Sequence, residues 1–211
     1  MRIMNCIVKV CGMRDAKNIQ EVERLGIDMM GFICWPKSPR YVSEVPAYLP
    51  KCPRVGVFVN PMLEYVQQSS LTFGFSLIQL HGSESPEFCQ EVREKTGLKV
   101  TKAISIFSKE DLALANQYEG FADLLLFDTK CKTVGGSGQQ FNWDILSDYR
   151  SSLPFLLSGG IGPEDAERLK QWHHNKCIGI DINSRFELEP GIKDTEKIKS
   201  FIRTIRQHES N

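Results

Sequence analysis

Ile7-Val8-Lys9-Val10-Cys11-Gly12-Met13-Arg14 is the stretch on which the fold turns. The apolar run Ile7 to Val10 reads as a strand. The chain leaves it through Cys11-Gly12, not through the G-x-G-x-x-G that a dinucleotide-binding sheet places after its first strand. Side chains alternate along a strand, so Lys9 and Cys11 share one face and Val8 and Val10 the other. Two reactive groups at the carboxyl end of a strand invite chemistry, although a free cysteine is commonly a small buried hydrophobe and that reading stands for Cys11 alone.

Moving outward, apolar runs of strand length recur at Ile7 to Cys11, Met29 to Cys34, Val55 to Val59, Leu77 to Leu80, Val100 to Ile106, Leu124 to Phe127, Phe155 to Leu157 and Ile178 to Ile182. Amphipathic stretches separate them: Asp15 to Leu25, a weaker one at Ser43 to Leu49, Met62 to Phe73, Pro86 to Lys95, Ser108 to Tyr118, Trp143 to Tyr149, Pro163 to Trp172 and Thr195 to Arg206. Asp15 and Ser108 are candidate N-caps, and Gly26, Gly97 and Gly120 candidate helix terminators. Alternation of this kind predicts parallel strands with right-handed helical crossovers. An open doubly wound sheet shares the rhythm. The count of eight, and the polar or small residues closing run after run, favour a single (β/α)8 barrel domain over residues 1–211, because such barrels assemble their sites at the carboxyl ends of several strands.

Composition narrows the function. Lys plus Arg and Asp plus Glu are 26 each, so bulk charge favours neither nucleic acid nor an anionic membrane, and an anionic ligand needs a local site. No apolar stretch approaches the roughly 20 residues of a membrane span, and the first six residues do not read as a signal peptide. Seven scattered cysteines fit neither a disulfide scaffold nor a zinc knuckle and point to a reducing cytoplasm. His173-His174 sits where a surface turn is expected, so neither a metal nor a cofactor is assigned.

Several strand ends carry candidate chemistry. Ser158-Gly159-Gly160-Ile161-Gly162-Pro163 follows the seventh strand, where Gly159 and Gly160 let backbone N–H groups approach an anion, and phosphate often binds after strands seven and eight. The eighth strand ends Asp181-Ile182-Asn183-Ser184-Arg185, adding a hydroxyl and a guanidinium. Asp128 ends the sixth strand on the inward face of Leu126. Together with Cys11 it forms an acid and base pair suited to an isomerase, which removes a proton at one atom and delivers one at another. Arg40, between Pro39 and Tyr41, suits bidentate capture of a carboxylate. His81 closes the fourth strand as a general base or a structural histidine.

Lys9-Val10-Cys11-Gly12, Ser38-Pro39-Arg40-Tyr41-Val42, Val55-Gly56-Val57-Phe58-Val59-Asn60, Gln79-Leu80-His81-Gly82, Phe127-Asp128-Thr129, Gly135-Gly136-Ser137-Gly138 and Pro190-Gly191-Ile192-Lys193-Asp194 follow one another in an order that resembles the phosphoribosylanthranilate isomerase family of tryptophan biosynthesis, from about residue 7 to about residue 202. The resemblance implies a (β/α)8 barrel that converts N-(5-phosphoribosyl)anthranilate to 1-(2-carboxyphenylamino)-1-deoxyribulose 5-phosphate by an Amadori rearrangement without metal or organic cofactor. It implies Cys11 as general base, Asp128 as general acid and Arg40 as the anthranilate carboxylate ligand; Lys9, His81, Gly159, Gly160, Asp181, Ser184 and Arg185, read from the strand ends themselves, are assigned to the substrate site beside them. Lys9 is the candidate cation for activating the Cys11 thiol. The partner is then a small phosphosugar, and the chain a monomer or homodimer. Arg185 stands where the family pattern usually has glycine, which raises the expectation that its guanidinium reaches the phosphate. The aminoimidazole carboxamide ribotide isomerases are related rivals but carry aspartate where this chain has Cys11. The related indole-glycerol-phosphate synthases need catalytic lysine and glutamate residues on several strands.

Overall fold

The computed structural model describes residues 6–129 and 141–207. Eight strands, β1 (Ile7–Cys11), β2 (Met29–Ile33), β3 (Arg54–Phe58), β4 (Leu77–Leu80), β5 (Lys99–Ile106), β6 (Leu124–Thr129), β7 (Phe155–Leu157) and β8 (Cys177–Ile182), pair in parallel in chain order. β8 pairs back onto β1 with Asp181 opposite Lys9, and the sheet closes into a barrel. The alternation read in the first strand holds. Val8 and Val10 join the apolar layer that packs under the helices, with Phe32, Phe127 and Ile180. The opposite face turns inward, where Ala103, Leu124, Leu126 and Leu156 form one cluster and Cys11, Val55 and Val57 another. Fully burying a side chain of leucine size contributes roughly 1.5–3 kcal/mol, so this two-sided burial is what commits each strand to one register.

The helices are α1 (Ala16–Glu23), α2 (Leu63–Phe73), α3 (Pro86–Thr96), α4 (Ala113–Asn116), α5 (Ala166–Gln171) and α6 (Thr195–Arg206). Asp15 caps α1 by accepting from the Asn18 amide at 2.8 Å. At the start of the β5 crossover the Asp111 carboxylate accepts from the Ser108 amide at 3.0 Å. Residues 43–49, expected to be a weak helix, form none. Pro46 and Pro50 explain this, since each removes a backbone donor and drives the preceding residue away from helical angles. The crossovers after β6 and β7 are likewise tighter than expected, with 3-10 turns at Trp143–Asp148 and Pro163–Asp165. A short antiparallel pair, β9 (Glu187–Glu189) and β10 (Ile192–Lys193), follows β8 and precedes α6. No helix among the described residues is long and apolar enough to cross a membrane.

Candidate active site

Inward-facing polar residues at the carboxyl ends of the strands join into one chain of contacts. Lys9, 1% exposed, donates to Asp181 Oδ1 at 3.0 Å and to Gln79 Oε1 at 2.8 Å. Burial works against its charge, but the Asp181 carboxylate and the Cys11 sulfur together outweigh burial and hold the ammonium pKa above its usual value. Gln79 Nε2 lies 2.8 Å from His81 Nδ1, and His81 Nε2 lies 3.1 Å from Asp128 Oδ2. The other Asp128 oxygen accepts from the Thr129 amide at 2.8 Å. Four strands, β8, β1, β4 and β6, are thereby linked through side chains across the barrel mouth.

Cys11 stands beside this chain, 4% exposed and opposite Gly31 of the neighbouring strand. A Cβ on Gly31 would lie 2.7 Å from the Cys11 sulfur, so glycine makes the room that the thiol occupies. Burial pushes the thiol pKa up, against the pull of Lys9 and Lys193. The expected activation by Lys9, which reaches the thiol through its charge and a side-chain hydrogen bond, is therefore only a partial offset to burial.

A second cluster surrounds Arg40. Its Nε and Nη2 donate to both oxygens of Glu187, at 2.7–3.0 Å, while Lys193 Nζ donates to Glu187 Oε1 at 2.7 Å and to Asn183 Oδ1 at 2.6 Å. Burial opposes the Glu187 charge, yet Arg40 and Lys193 together hold its carboxyl below the usual range. Two cations sharing one carboxylate leave one positive charge uncompensated within the cluster, a favourable place for an anion.

Both clusters border one open cavity of about 780 Å³, lined among others by Cys11, Arg40, His81, Asp128, Gly159 and Ser184. Gly159 and Gly160 turn with φ of +88° and +67°. A Cβ on Gly159 would lie 2.3 Å from Thr129 Oγ1 and 3.1 Å from Asp128 Oδ1, so the glycine turn and the Asp128 carboxyl share one space.

Of the residues picked from sequence, Cys11, Arg40, His81, Asp128, Gly159, Gly160, Asp181 and Ser184 line this cavity. Lys9 lies beneath it and acts on the lining through Asp181 and Gln79. Arg185 is exposed and pairs with Glu164, bridging the segments after β8 and β7. Residues 135–138 lie outside the described residues. Sequence reading missed Gln79, Glu187, Lys193 and Asn183 as working side chains. Gln79 was within reach, because alternation places it on the face of His81. Glu187 gave no signal and Lys193 only its place in the Pro190 to Asp194 motif, since only the β9–β10 turn returns them to Arg40. His173 is exposed, and His174 packs its ring 5.1 Å from that of Phe155, away from the cavity lining. Among the described residues no group of three His, Cys, Asp or Glu side chains is arranged to hold a metal ion.

A closed (β/α)8 barrel whose carboxyl rim gathers a thiol, a carboxylate, a guanidinium and a diglycine turn has the make-up of a barrel enzyme. Residues 8–204 match the family model described as N-(5'-phosphoribosyl)anthranilate (PRA) isomerase. The N-(5'-phosphoribosyl)anthranilate isomerase of Phocaeicola vulgatus is 48% identical over 202 residues, covering 95% of this chain and 98% of the relative. Among solved structures, monomers generated from the dimeric phosphoribosylanthranilate isomerase of Thermotoga maritima superpose with a TM-score of 0.79 at 30% identity, over 95% of this chain and 98% of that one. A phosphoribosyl anthranilate isomerase in complex with reduced 1-(o-carboxyphenylamino)-1-deoxyribulose 5-phosphate gives a TM-score of 0.77 at 29% identity, over 95% and 98%. The chain belongs to the N-(5'-phosphoribosyl)anthranilate isomerase family. It is an enzyme, an isomerase.

Proposed function

We propose that this barrel rim carries out the Amadori rearrangement of N-(5-phosphoribosyl)anthranilate in tryptophan biosynthesis, with Asp128 as general acid and Cys11 as general base. The observation that carries the reading is the convergence of Cys11, Asp128, Arg40 and the Gly159–Gly160 turn on one cavity. Asp128 protonates the furanose ring oxygen. The C1–O bond breaks as the anilino nitrogen's lone pair forms an iminium. The thiolate of Cys11 then removes the C2 proton, and the electron pair of that C–H bond neutralises the iminium to give an enolamine. Tautomerisation moves the C2 hydroxyl proton to C1 and leaves the ketone, so substrate and product differ only in where hydrogens and bonds lie. Each positioned proton transfer is worth about 10²- to 10⁴-fold.

Burial keeps the Cys11 thiol pKa high, so the base acts through the minor thiolate population that Lys9 and Lys193 favour after its proton has passed to solvent, and the cationic iminium, formed first, is what makes the C2 proton acidic enough for it. The surplus positive charge of the Arg40, Lys193 and Glu187 cluster suits the anthranilate carboxylate. Gly159, Gly160 and Ser184 offer donors to the phosphate, with Arg185 alongside once it exchanges Glu164 for the ligand. The six described cysteines are free thiols, in keeping with a cytoplasmic enzyme. The whole chain acts as one barrel domain, as a monomer or as a homodimer; the Thermotoga maritima relative is dimeric.

The test is loss of anthranilate fluorescence when the chain meets freshly made phosphoribosylanthranilate. Cys11→Ser and Asp128→Asn should each cut turnover at least about a hundredfold while substrate still binds. Near-normal turnover in either variant removes that residue from its role.

A further inference from the structure

The contacts from Lys9 to Asp128 have a direction. A protonated lysine has three hydrogens and no lone pair, so it can only donate. The Gln79 atom 2.8 Å from Lys9 Nζ must therefore be the amide oxygen, which turns the amide NH₂ toward His81 Nδ1, also at 2.8 Å. An amide nitrogen only donates, so His81 Nδ1 must accept. The hydrogen of the neutral ring then sits on Nε2, 3.1 Å from Asp128 Oδ2. Reversing any link sets donor against donor or acceptor against acceptor, and Gln79, 1% exposed, is shielded from the bulk solvent that would relieve the clash.

We propose that Gln79 is a positioning residue of the isomerisation: polarised by Lys9, it holds His81 as the Nε2–H tautomer and so keeps the imidazole from taking the proton that Asp128 must deliver to the substrate. This rests on the reading of Asp128 as the proton donor. Imidazole is intrinsically the stronger base, by more than two units in the reference values. A bare Nε2 facing a protonated Asp128 would draw the proton away and leave an imidazolium–carboxylate pair with nothing to give the ring oxygen. With Nε2–H in place, His81 donates to Oδ2 while the Thr129 amide donates to Oδ1. A proton taken up by Asp128 then lies on neither of these contacts, and the cavity side is what remains. The arrangement makes the acid one-sided.

The experiment uses the full chain labelled with ¹⁵N-histidine and a long-range ¹H–¹⁵N correlation at neutral pH, with His81→Asn assigning the resonances. His81 should appear as a neutral ring protonated on Nε2. In Gln79→Glu the carboxylate still accepts from Lys9 but cannot donate to Nδ1, so His81 should change to the Nδ1–H or doubly protonated form. Its kcat should fall at least tenfold while KM stays within threefold. A wild-type ring protonated on Nδ1 overturns the proposal by itself, whether or not the variant folds. So does a Gln79→Glu enzyme that keeps either the wild-type tautomer or the wild-type kcat. If instead Asp128→Asn retains turnover, the acid assignment fails while the measured tautomer stands, which separates the two.

Discussion

Replacing Lys9 with methionine tests the buried ion pair at the base of the site. Methionine fills much of the lysine's volume, so the loss is mainly electrostatic. Asp181, 6% exposed, would keep its carboxylate with its strongest partner gone. Breaking a buried pair by removing one member costs roughly 3–5 kcal/mol, because the remaining charge is neither solvated nor compensated. With a urea m-value of about 2 kcal/mol/M, that moves the unfolding midpoint down by roughly 2 M. The pH dependence has a definite sign. Burial pushes the Asp181 carboxyl up, and without Lys9 little opposes it, so the folded variant binds a proton more tightly than the unfolded chain, whose aspartate titrates near 3.9. The cost is in full force above the folded-state pKa. It shrinks as pH falls through that value, by up to about 1.4 kcal/mol per unit. Urea melts of both proteins at pH 7 and pH 5 should show the gap narrowing on acidification, and Lys9→Met/Asp181→Leu should recover much of the loss. A penalty below about 1 kcal/mol at pH 7, or one unchanged between the two pH values, refutes the claim that an ion pair anchors the rim.

Three further outcomes follow from the same geometry. Because burial raises the Cys11 thiol pKa, alkylation of the Cys11 peptide, followed by mass spectrometry, should still be accelerating with pH at pH 9; a plateau near neutrality contradicts the protonated resting thiol. Gly159→Ala places a Cβ against Thr129 and Asp128 at positive φ, which strain and overpacking together price at about 2–5 kcal/mol. Turnover should fall and KM rise together, and an unchanged kcat would mean the turn and the acid are independent. Glu187→Gln removes the charge that fixes Arg40, so KM should rise about tenfold, the worth of one charge-assisted hydrogen bond; unaltered KM says that Arg40 holds its pose without it.

The architecture was legible because eight strands are nearly continuous apolar runs, and β1, β4 and β7 begin and end where the sequence puts them. Continuous apolarity is what burial on both faces requires. The second crossover misled, because residues 43–49 have the spacing of a helix while Pro46 and Pro50 forbid its hydrogen bonds. Cys11, Asp128 and Arg40 could be picked out because reactive side chains at strand ends are conspicuous. Their partners could not. Gln79 looks like an ordinary polar residue until Lys9 faces it across the barrel. Glu187 and Lys193 lie about 150 residues from Arg40 in the chain, and only closure of the fold shows that they belong to it.

That separation sets a timetable for synthesis. Lys9 leaves the ribosome 172 residues ahead of its partner Asp181, and Arg40 leaves it 147 residues ahead of Glu187. Until then β1 is an open edge awaiting β8. Contacts of such long range delay folding, since loop closure must come first. A nascent chain stopped before β8 lacks the carboxylate partner of Lys9 and a closed mouth, so activity should switch on once β8 and the β9–β10 pair are complete and not accumulate as the chain grows.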